Sequence, residues 1–187
     1  MPPTVAQIIA PYEYQPENVE RIAFRTVQPP ITILEPNPVW PQRFEEVKER
    51  IQNALGEIVI DIAHSGSTSD ATDEISYVKL LEEAGFQFLL REPKWHQHRF
   101  FVENWSGAYH VNLHVWGPDS PEVVRHRIFR DWLLRSPEDL QLYAKVKREA
   151  AEQSAIAGDS MMDYTQRKDK TIQDILGRAF RDMGYIQ

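Results

Sequence analysis

Apolar residues recur along this chain at two spacings, and each spacing predicts a different element. A spacing of three or four residues predicts a helix over residues 38–55, whose apolar face carries Phe44, Val47, Ile51 and Leu55. Alternation predicts a strand over residues 58–63, with Ile58, Ile60 and Ile62 on one face. The same criteria predict a helix over residues 72–85 and strands over residues 31–36, 86–91, 98–103 and 109–116.

Three further helices are predicted to close the chain, beginning near residues 120, 136 and 160. The first two begin with Ser-Pro-Glu, and proline is favoured at the first helical position. Mixed helices and strands followed by helices alone are typical of an α+β fold, with a mixed or antiparallel sheet packed with helices. Residues 1–30, which are rich in proline, are predicted to be an N-terminal extension of a domain spanning residues 31–187.

Composition narrows the classes of function. The net charge of −7, from 21 basic and 28 acidic residues, disfavours nucleic acid as a partner. The chain has no cysteine, which excludes disulfides, thiol nucleophiles and cysteine-bound zinc. No secretory signal and no apolar run of ~20 residues is present, so we expect a cytoplasmic protein without a membrane partner, acting on a small molecule. The sequence does not indicate an oligomeric state.

The strand predicted over residues 109–116 has one apolar face and one face that combines polar groups with an aromatic ring. Tyr109, Val111, Leu113 and Val115 alternate with a second set consisting of His110, Asn112, His114 and Trp116. The second set suits a pocket wall and a solvated sheet face equally well. His110 and His114 lie ~13 Å apart on a strand, too far to share a metal ion. His96 and His98 would lie ~7 Å apart, but no third ligand is evident.

Two other places carry candidate chemistry. The segment "HSGSTS", residues 64–69, follows a strand, and its predicted turn offers backbone N–H groups and hydroxyls to an anion. Such turns are common, so the turn alone does not establish a site. Arg130 has a planar fork that binds two oxygens, although most such arginines form surface ion pairs. Tyr164 and Lys168, four residues apart on one helix, are open to the same two interpretations.

Several blocks, taken in order, resemble the GrpB-like family, whose members have a nucleotidyltransferase-like fold. The resemblance runs from about Ile33 to Ala179 and is carried by "NPVWPQRFEEVKERIQNALG", "IAHSGSTS", "WHQHRFF", "VNLHVW", "RHRIFRDWLL" and "YTQRKDKTIQDIL". In that fold a strand after the Gly-Ser motif carries an Asp-x-Asp pair that holds Mg²⁺. Here "GSTS" is followed directly by "DATDEISYV", so about one loop and one strand are missing between Ser69 and Asp70. Either the segment is deleted or the sequence joins two pieces.

The resemblance also bears on activity, because some fungal relatives act as tailoring enzymes that close lactone or pyrone rings in polyketides. We therefore expect a small-molecule enzyme that uses acid/base catalysis, without metal or cofactor, for ring closure or hydrolysis. Its predicted catalytic residues are His64 and His114 for proton transfer and Ser67, with the backbone at Gly66, for polarising an oxygen. The predicted substrate-binding residues are Gly66, Arg99, Arg130, Tyr164 and Lys168.

Two alternatives remain open at the level of the sequence. One is Mg²⁺-dependent nucleotidyl or phosphoryl transfer, if the missing strand is present. The other is a ligand-binding module without catalysis. A requirement for Mg²⁺ and a nucleotide separates the first alternative from acid/base catalysis, and ligand binding without turnover indicates the second.

Overall fold

The computed structural model of the protein describes residues 1–12, 14–26, 28, 30–63, 66–69, 74–103 and 110–187, with residues 60 and 66–69 described in the backbone alone. Three sequence predictions lie outside the described residues: the role of His64, the orientation of Tyr109 and the junction between Ser69 and Asp70.

The chain forms two compact units. The first consists of Met1–Thr4, Tyr12–Gln28 and Pro38–Val123, and the second consists of Val5–Pro11, Pro29–Asn37 and Val124–Gln187. The N-terminal 30 residues thus contribute to both units. The boundary near residue 30 and the assignment of residues 1–30 as an extension stay predictions.

A mixed sheet forms the first unit. Its strands are β1 (Glu20–Arg21), β2 (Val59–Ala63), β3 (Gly66–Ser69), β4 (Phe86–Glu92), β5 (His98–Glu103) and β6 (Asn112–Trp116). Their order is β1-β4-β5-β6-β3-β2, and every neighbouring pair is antiparallel except β3 and β6, which are parallel. The four main predicted strands therefore share one sheet, which confirms the α+β class.

The described residues also contain α-helices at α1 (Val5–Ile9), α2 (Trp40–Leu55), α3 (Glu74–Glu83), α4 (Pro121–Arg135), α5 (Pro137–Ala157) and α6 (Met161–Asp182). α2 and α3 cover one face of the sheet. The core between them is apolar and combines Val47, Ile51, Leu55, Tyr77 and Leu81 of the helices with Phe86, Phe88, Phe101, Leu113 and Val115 of the sheet. Burial of this surface, at roughly 25 cal/mol per Å² of apolar area, holds helices and sheet together.

Two predictions about local structure were wrong. Residues 31–36 form no strand, because Ile31 and Ile33 pack against Ala150, Ala151 and Tyr164 of α5 and α6 instead of pairing with a sheet edge. Residues 66–69, predicted as a turn, form β3, which is paired with a neighbour on each side. Glycine and serine have low strand propensity, but pairing within a sheet overrides propensity.

Side chains from three helices meet in the second unit. Asp139 of α5 accepts a hydrogen bond from the indole N–H of Trp132 in α4 at 2.7 Å, and Arg178 of α6 contacts both of its carboxylate oxygens. The Arg178 hydrogen bond lowers the pKa of Asp139, since it favours the ionised form. The unit also has an apolar core in which Ile8 of α1 packs with Leu176 and Phe180 of α6.

Candidate functional site

A β-bulge in β4 decides which acidic side chain reaches the sheet face opposite α2 and α3. Phe88 pairs with Phe101, but Leu90 pairs with Phe100, so that Leu89 is an extra residue in β4. Beyond the bulge the alternation is reversed, and Glu92 pairs with His98 on the opposite face from Phe88. Without the bulge, Glu92 would point into the helix-covered core.

Glu92, His98 and His114 form a hydrogen-bonded chain on this face. Glu92 Oε2 lies 2.7 Å from His98 Nδ1, and His98 Nε2 lies 2.9 Å from His114 Nδ1. His98 is the first residue of β5, and His114 is in the neighbouring strand β6, where it pairs with Phe100. Glu92 and His98 are buried, whereas His114 is half-buried. The chain thus runs from a buried carboxylate to a partly accessible imidazole.

The groups around Glu92 and His98 determine which ring nitrogen of His98 carries a proton. The hydroxyl of Tyr12 donates to Glu92 Oε1 at 3.0 Å, and burial together with the Glu92 carboxylate raises the pKa of Tyr12. Burial lowers the pKa of His98, although the contact with Glu92 opposes that change, so His98 is neutral near pH 7. A carboxylate only accepts hydrogen bonds, so the proton of His98 is on Nδ1.

This assignment fixes the tautomer of His114. Since His98 Nε2 carries no proton, it accepts the hydrogen bond, and His114 Nδ1 donates it. A neutral His114 therefore has its basic lone pair on Nε2. A carboxylate that orients one imidazole, which then orients a second, is an arrangement suited to general acid–base chemistry.

Aromatic rings enclose the histidine chain. The ring of Trp95 stacks on Tyr12, with centroids 3.7 Å apart, and meets Trp116 edge-on. Trp116 in turn stacks on His98. The indole nitrogen of Trp95 is buried without a hydrogen-bond partner among the described residues. An unpaired buried N–H costs about 1–3 kcal/mol, and an oxygen of a bound molecule or water would recover it.

Arg25 brings a positive charge to the same face. Its Nη2 donates to Asn112 Oδ1 at 2.6 Å, and its guanidinium lies 5.8 Å from the ring centroid of Phe100. Phe100 contacts the ring of His114, with centroids 4.8 Å apart. Burial lowers the pKa of Arg25, but an arginine remains charged at neutral pH.

The structure does not bring Arg99 together with His114. Arg99 pairs with Val115, whose side chain belongs to the core under α2 and α3, and His114 faces the other way. Arg99 Nε donates to Glu74 Oε2 at 2.8 Å, and Arg91 donates to the other oxygen of Glu74 at 2.7 Å. Arg99 and His114, which the sequence analysis placed in one site, therefore lie on opposite faces of the sheet, because neighbouring positions of one strand alternate between faces.

The Gly-Ser segment lies beside the strand that carries His114. The Cα of Ser67 pairs with Val115 of β6, which in turn pairs with Arg99 of β5. Gly66 begins β3 and pairs with Ala63 of β2. The backbone of this segment therefore takes part in the sheet, and the roles predicted for Gly66 and Ser67 stay predictions.

The remaining predicted substrate-binding residues belong to the second unit. Arg130 of α4 is exposed and pairs with Asp131 at 2.8 Å. Tyr164 and Lys168 of α6 are buried, and the ammonium of Lys168 lies 3.9 Å from the centroid of the Tyr164 ring. Their role in holding a substrate stays a prediction.

The other two histidines that the sequence analysis considered as metal ligands, His96 and His110, lie outside the strands. His96 is exposed in the turn between β4 and β5, not in a strand, and His110 is exposed before β6. In the part of the chain that the structure describes, no three histidine, aspartate or glutamate side chains are placed to hold a metal ion together. None of the described helices has the length and apolar character to cross a membrane.

Sequence reasoning missed Glu92, Tyr12 and Arg25, and it considered His98 only as a metal ligand. A signal for His98 was present, since it and His114 lie on two consecutive predicted strands. Their direct contact depends on the register between those strands, and the position of Glu92 depends on the bulge.

These observations define a class of protein: an α+β fold with a mixed sheet and a hydrogen-bonded series of a carboxylate and two histidines. Comparison with known sequences identifies the family: the sequence model of the GrpB protein family matches residues 30–72 and 69–178. The chain belongs to the GrpB family.

Three bacterial relatives illustrate the similarity. UPF0157 protein BH1888 of Halalkalibacterium halodurans is 34% identical over 166 residues, covering 80% of this chain and 82% of the relative. UPF0157 protein PA4798 of Pseudomonas aeruginosa is 33% identical, covering 80% of this chain and 67% of the relative. UPF0157 protein SCO7215 of Streptomyces coelicolor is 31% identical, covering 75% and 79% respectively.

The alignments also bear on the missing segment. The family model matches the chain in two segments, which overlap at residues 69–72, where the sequence analysis placed the loss.

Proposed function

We propose that this GrpB-family protein is a small-molecule enzyme in which His114 transfers protons, built on a nucleotidyltransferase-like scaffold. The proposed reaction is closure or hydrolysis of a lactone or pyrone ring in polyketide tailoring. The observation that carries the proposal is the chain from Glu92 through His98 to His114, with bond lengths of 2.7 and 2.9 Å. The proposed substrate class rests on the resemblance to fungal tailoring enzymes.

Ring closure in this scheme needs one proton to move twice. His114 Nε2 takes the proton of a substrate hydroxyl or enol as its oxygen attacks a carbonyl carbon. The new C–O bond forms, the bond to the leaving group breaks, and His114 returns the proton to the leaving group. Hydrolysis is the same sequence with water as the nucleophile, and general acid–base catalysis of this kind contributes about 10²–10⁴-fold.

Glu92 and His98 stabilise the charged intermediate state of His114. When His114 is protonated, its Nδ1–H donates to His98 Nε2, and His98 Nδ1–H donates to the Glu92 carboxylate. The negative charge of Glu92 thereby offsets the imidazolium through two short hydrogen bonds. Low dielectric surroundings strengthen that effect, and Glu92 and His98 are 6% and 3% exposed.

Four groups complete the proposed site. Arg25, on the His114 face, is placed to attract an enolate or carboxylate of the substrate. The N–H of Trp95, which has no hydrogen-bond partner within the described part of the chain, is a donor for a substrate oxygen. His64 is proposed as a second proton-transfer group and Ser67 as an oxygen-polarising group, on the strength of the family motif "IAHSGSTS".

The test uses a δ-hydroxy thioester, whose cyclisation to a lactone releases a thiol. We expect thiol release by the purified protein without added Mg²⁺ or nucleotide. His114→Gln is expected to lower kcat/KM by about 10²–10⁴-fold with an unchanged melting temperature. His96→Gln is the matched control, because His96 is exposed in a turn.

Three results would argue against the proposal. Full activity of His114→Gln would show that His114 does not transfer the proton. Thiol release or nucleotide consumption that requires both Mg²⁺ and ATP would favour nucleotidyl or phosphoryl transfer. Saturable binding of the thioester and its lactone product without turnover would favour a ligand-binding module.

A further inference from the structure

Lys168 of α6 is a buried cation. It is 9% exposed, and no hydrogen bond or ion pair joins its ammonium to another residue in the described part of the chain. Its ammonium lies over the ring of Tyr164, one helical turn away, at 3.9 Å from the centroid. A buried charge without a carboxylate partner is costly, and proteins retain such charges mainly where they serve a site.

A second lysine and tyrosine repeat this arrangement on α5. The ammonium of Lys147 lies 5.6 Å from the ring centroid of Tyr143, four residues earlier. α5 and α6 are packed against each other, and the charge of Lys147 acts on Lys168. Two Tyr-x-x-x-Lys pairs, one with the half-buried Lys147 and one with the buried Lys168, therefore lie on adjoining helices.

The electrostatics of this cluster favour an added negative charge. Burial, followed by the charge of Lys147, lowers the pKa of Lys168 to about 8, and burial lowers the pKa of Lys147. Asp169 partly offsets the effect on Lys168. Both tyrosine hydroxyls stay protonated because burial raises their pKa values, so they remain hydrogen-bond donors.

Neighbouring lysines on the same two helices are paired differently. Lys145 of α5 lies 3.8 Å from Glu149, and Lys170 of α6 lies 3.6 Å from Asp174. Both pairs have the i, i+4 spacing of exposed helix ion pairs. Among the described residues, Lys147 and Lys168 have no such carboxylate partner and so differ from the neighbouring lysines Lys145 and Lys170.

We propose that Lys147 and Lys168, with Tyr143 and Tyr164, form a binding site for the oxyanion group of a small molecule, either a carboxylate or a phosphate monoester. The two ammonium groups supply the charge, and the two protonated tyrosine hydroxyls supply hydrogen-bond donors. The inference extends the substrate-holding role predicted for Tyr164 and Lys168. It does not rest on proton transfer by His114, and its test does not use activity.

The test measures binding of benzoate and phenyl phosphate to the full chain by calorimetry, with sodium chloride at matched ionic strength as the blank. We expect at least one of the two anions to bind and to raise the melting temperature. Lys168→Met should weaken that binding at least about 10-fold, since a charge-assisted contact is lost. Lys170→Met is the matched control on α6 and should bind like the unaltered protein.

The melting temperature of Lys168→Met gives a second test, because replacing a lysine that only supports packing would not raise it. Without ligand, Lys168→Met should melt about 2–4 °C higher, because it removes a buried charge and keeps the length of the side chain. Lys147→Met, compared with Lys145→Met, repeats the binding test should Lys168→Met fail to fold. Benzoate binding alone identifies a carboxylate site, and phenyl phosphate binding alone identifies a phosphate site.

Three outcomes overturn the proposal. The first is that neither anion binds the unaltered protein. The second is that Lys168→Met and Lys147→Met bind as tightly as their controls. The third is that Lys168→Met melts lower than the unaltered protein while binding persists, which would make Lys168 a packing residue.

Discussion

His98 is a buried imidazole with a hydrogen bond on each ring nitrogen, one to Glu92 and one to His114. Protonation would turn its Nε2 from an acceptor into a donor, and His114 could keep the hydrogen bond only by moving its own proton from Nδ1 to Nε2. The neutral form of His98 therefore stabilises the Glu92–His98–His114 hydrogen bonds and also sets the tautomer of His114.

Stability should depend on pH through His98. Burial holds the pKa of His98 in the folded protein below the ordinary value of 6.5, so the unfolded chain binds a proton first as the pH falls. The stabilisation is complete above about pH 6.5 and is lost progressively below it. We expect the free energy of unfolding, measured in urea from about pH 7.5 to about pH 5, to fall more steeply for the unaltered protein than for His98→Gln.

The exposed His96 supplies the control for this titration, and His96→Gln should reproduce the slope of the unaltered protein. Equal slopes for His98→Gln and the unaltered protein would mean that the pKa of His98 is not displaced by folding.

At the scale of elements, α2 is anchored to β5 through one buried carboxylate. Glu103 is 7% exposed, and Oε1 accepts hydrogen bonds from Arg43, at 2.5 Å, and from Arg50. Glu103 lies on the helix-covered face at the end of β5, so this contact ties two positions of α2, about two helical turns apart, to the sheet.

Removing the charge of Glu103 should be costly. Glu103→Gln leaves two arginines facing a neutral amide, and breaking a buried ion pair typically costs about 3–5 kcal/mol of unfolding free energy. Glu46→Gln is the control, since Glu46 also pairs with Arg43 but at 3.3 Å and with an exposed side chain, where the cost is about 0–1 kcal/mol. Urea titration measures both values. Similar losses for the two variants would contradict a buried anchor at Glu103.

The elements with a clear periodic pattern were predictable. The helices later found at Trp40–Leu55, Glu74–Glu83 and Met161–Asp182 and the strands β2, β4, β5 and β6 follow from spacing and from helix-starting residues. β1 and β3 were not predictable, since β1 has two residues and β3 has the composition of a turn, and both exist through pairing with β4 and with β2 and β6.

The site was predictable only as far as it depends on alternation within one strand. Alternation placed His114 and Trp116 on one face of β6, and the structure agrees. The partner of His114 depends on register between strands, and the position of Glu92 depends on the bulge at Leu89. Neither is encoded in a local pattern. Arg99 was grouped with His114 because strand neighbours were considered without their faces.

At the scale of the whole molecule, the N-terminal residues supply parts of both units. Tyr12 donates to Glu92 and stacks on Trp95, β1 extends the sheet beside β4, and Ile8 packs in the core of the second unit. These contacts join residues far apart in sequence, so the N-terminal segment stabilises the fold whatever its evolutionary origin.

Deleting residues 2–28 should therefore lower the free energy of unfolding by about 2–5 kcal/mol or more, since truncating a single buried isoleucine such as Ile8 costs that much. Deleting residues 2–4 alone is the control and should change stability little, because these residues lie before α1 and contribute no core side chain. Thermal melting followed by tryptophan fluorescence measures both. A full-length melting temperature for the longer deletion would show that the segment is dispensable.

The order of strands in the sheet also has a consequence for the path by which the chain folds. β4, β5 and β6 are consecutive in both sequence and space, so their antiparallel ladder closes only short loops. β3 joins β6 in parallel across more than 40 residues, as Ser67 meets Val115, and such pairing carries a larger loop-closure entropy. We expect the β4–β5–β6 meander, which already contains Glu92, His98 and His114, to form first and to serve as the template on which the Gly-Ser strand docks late.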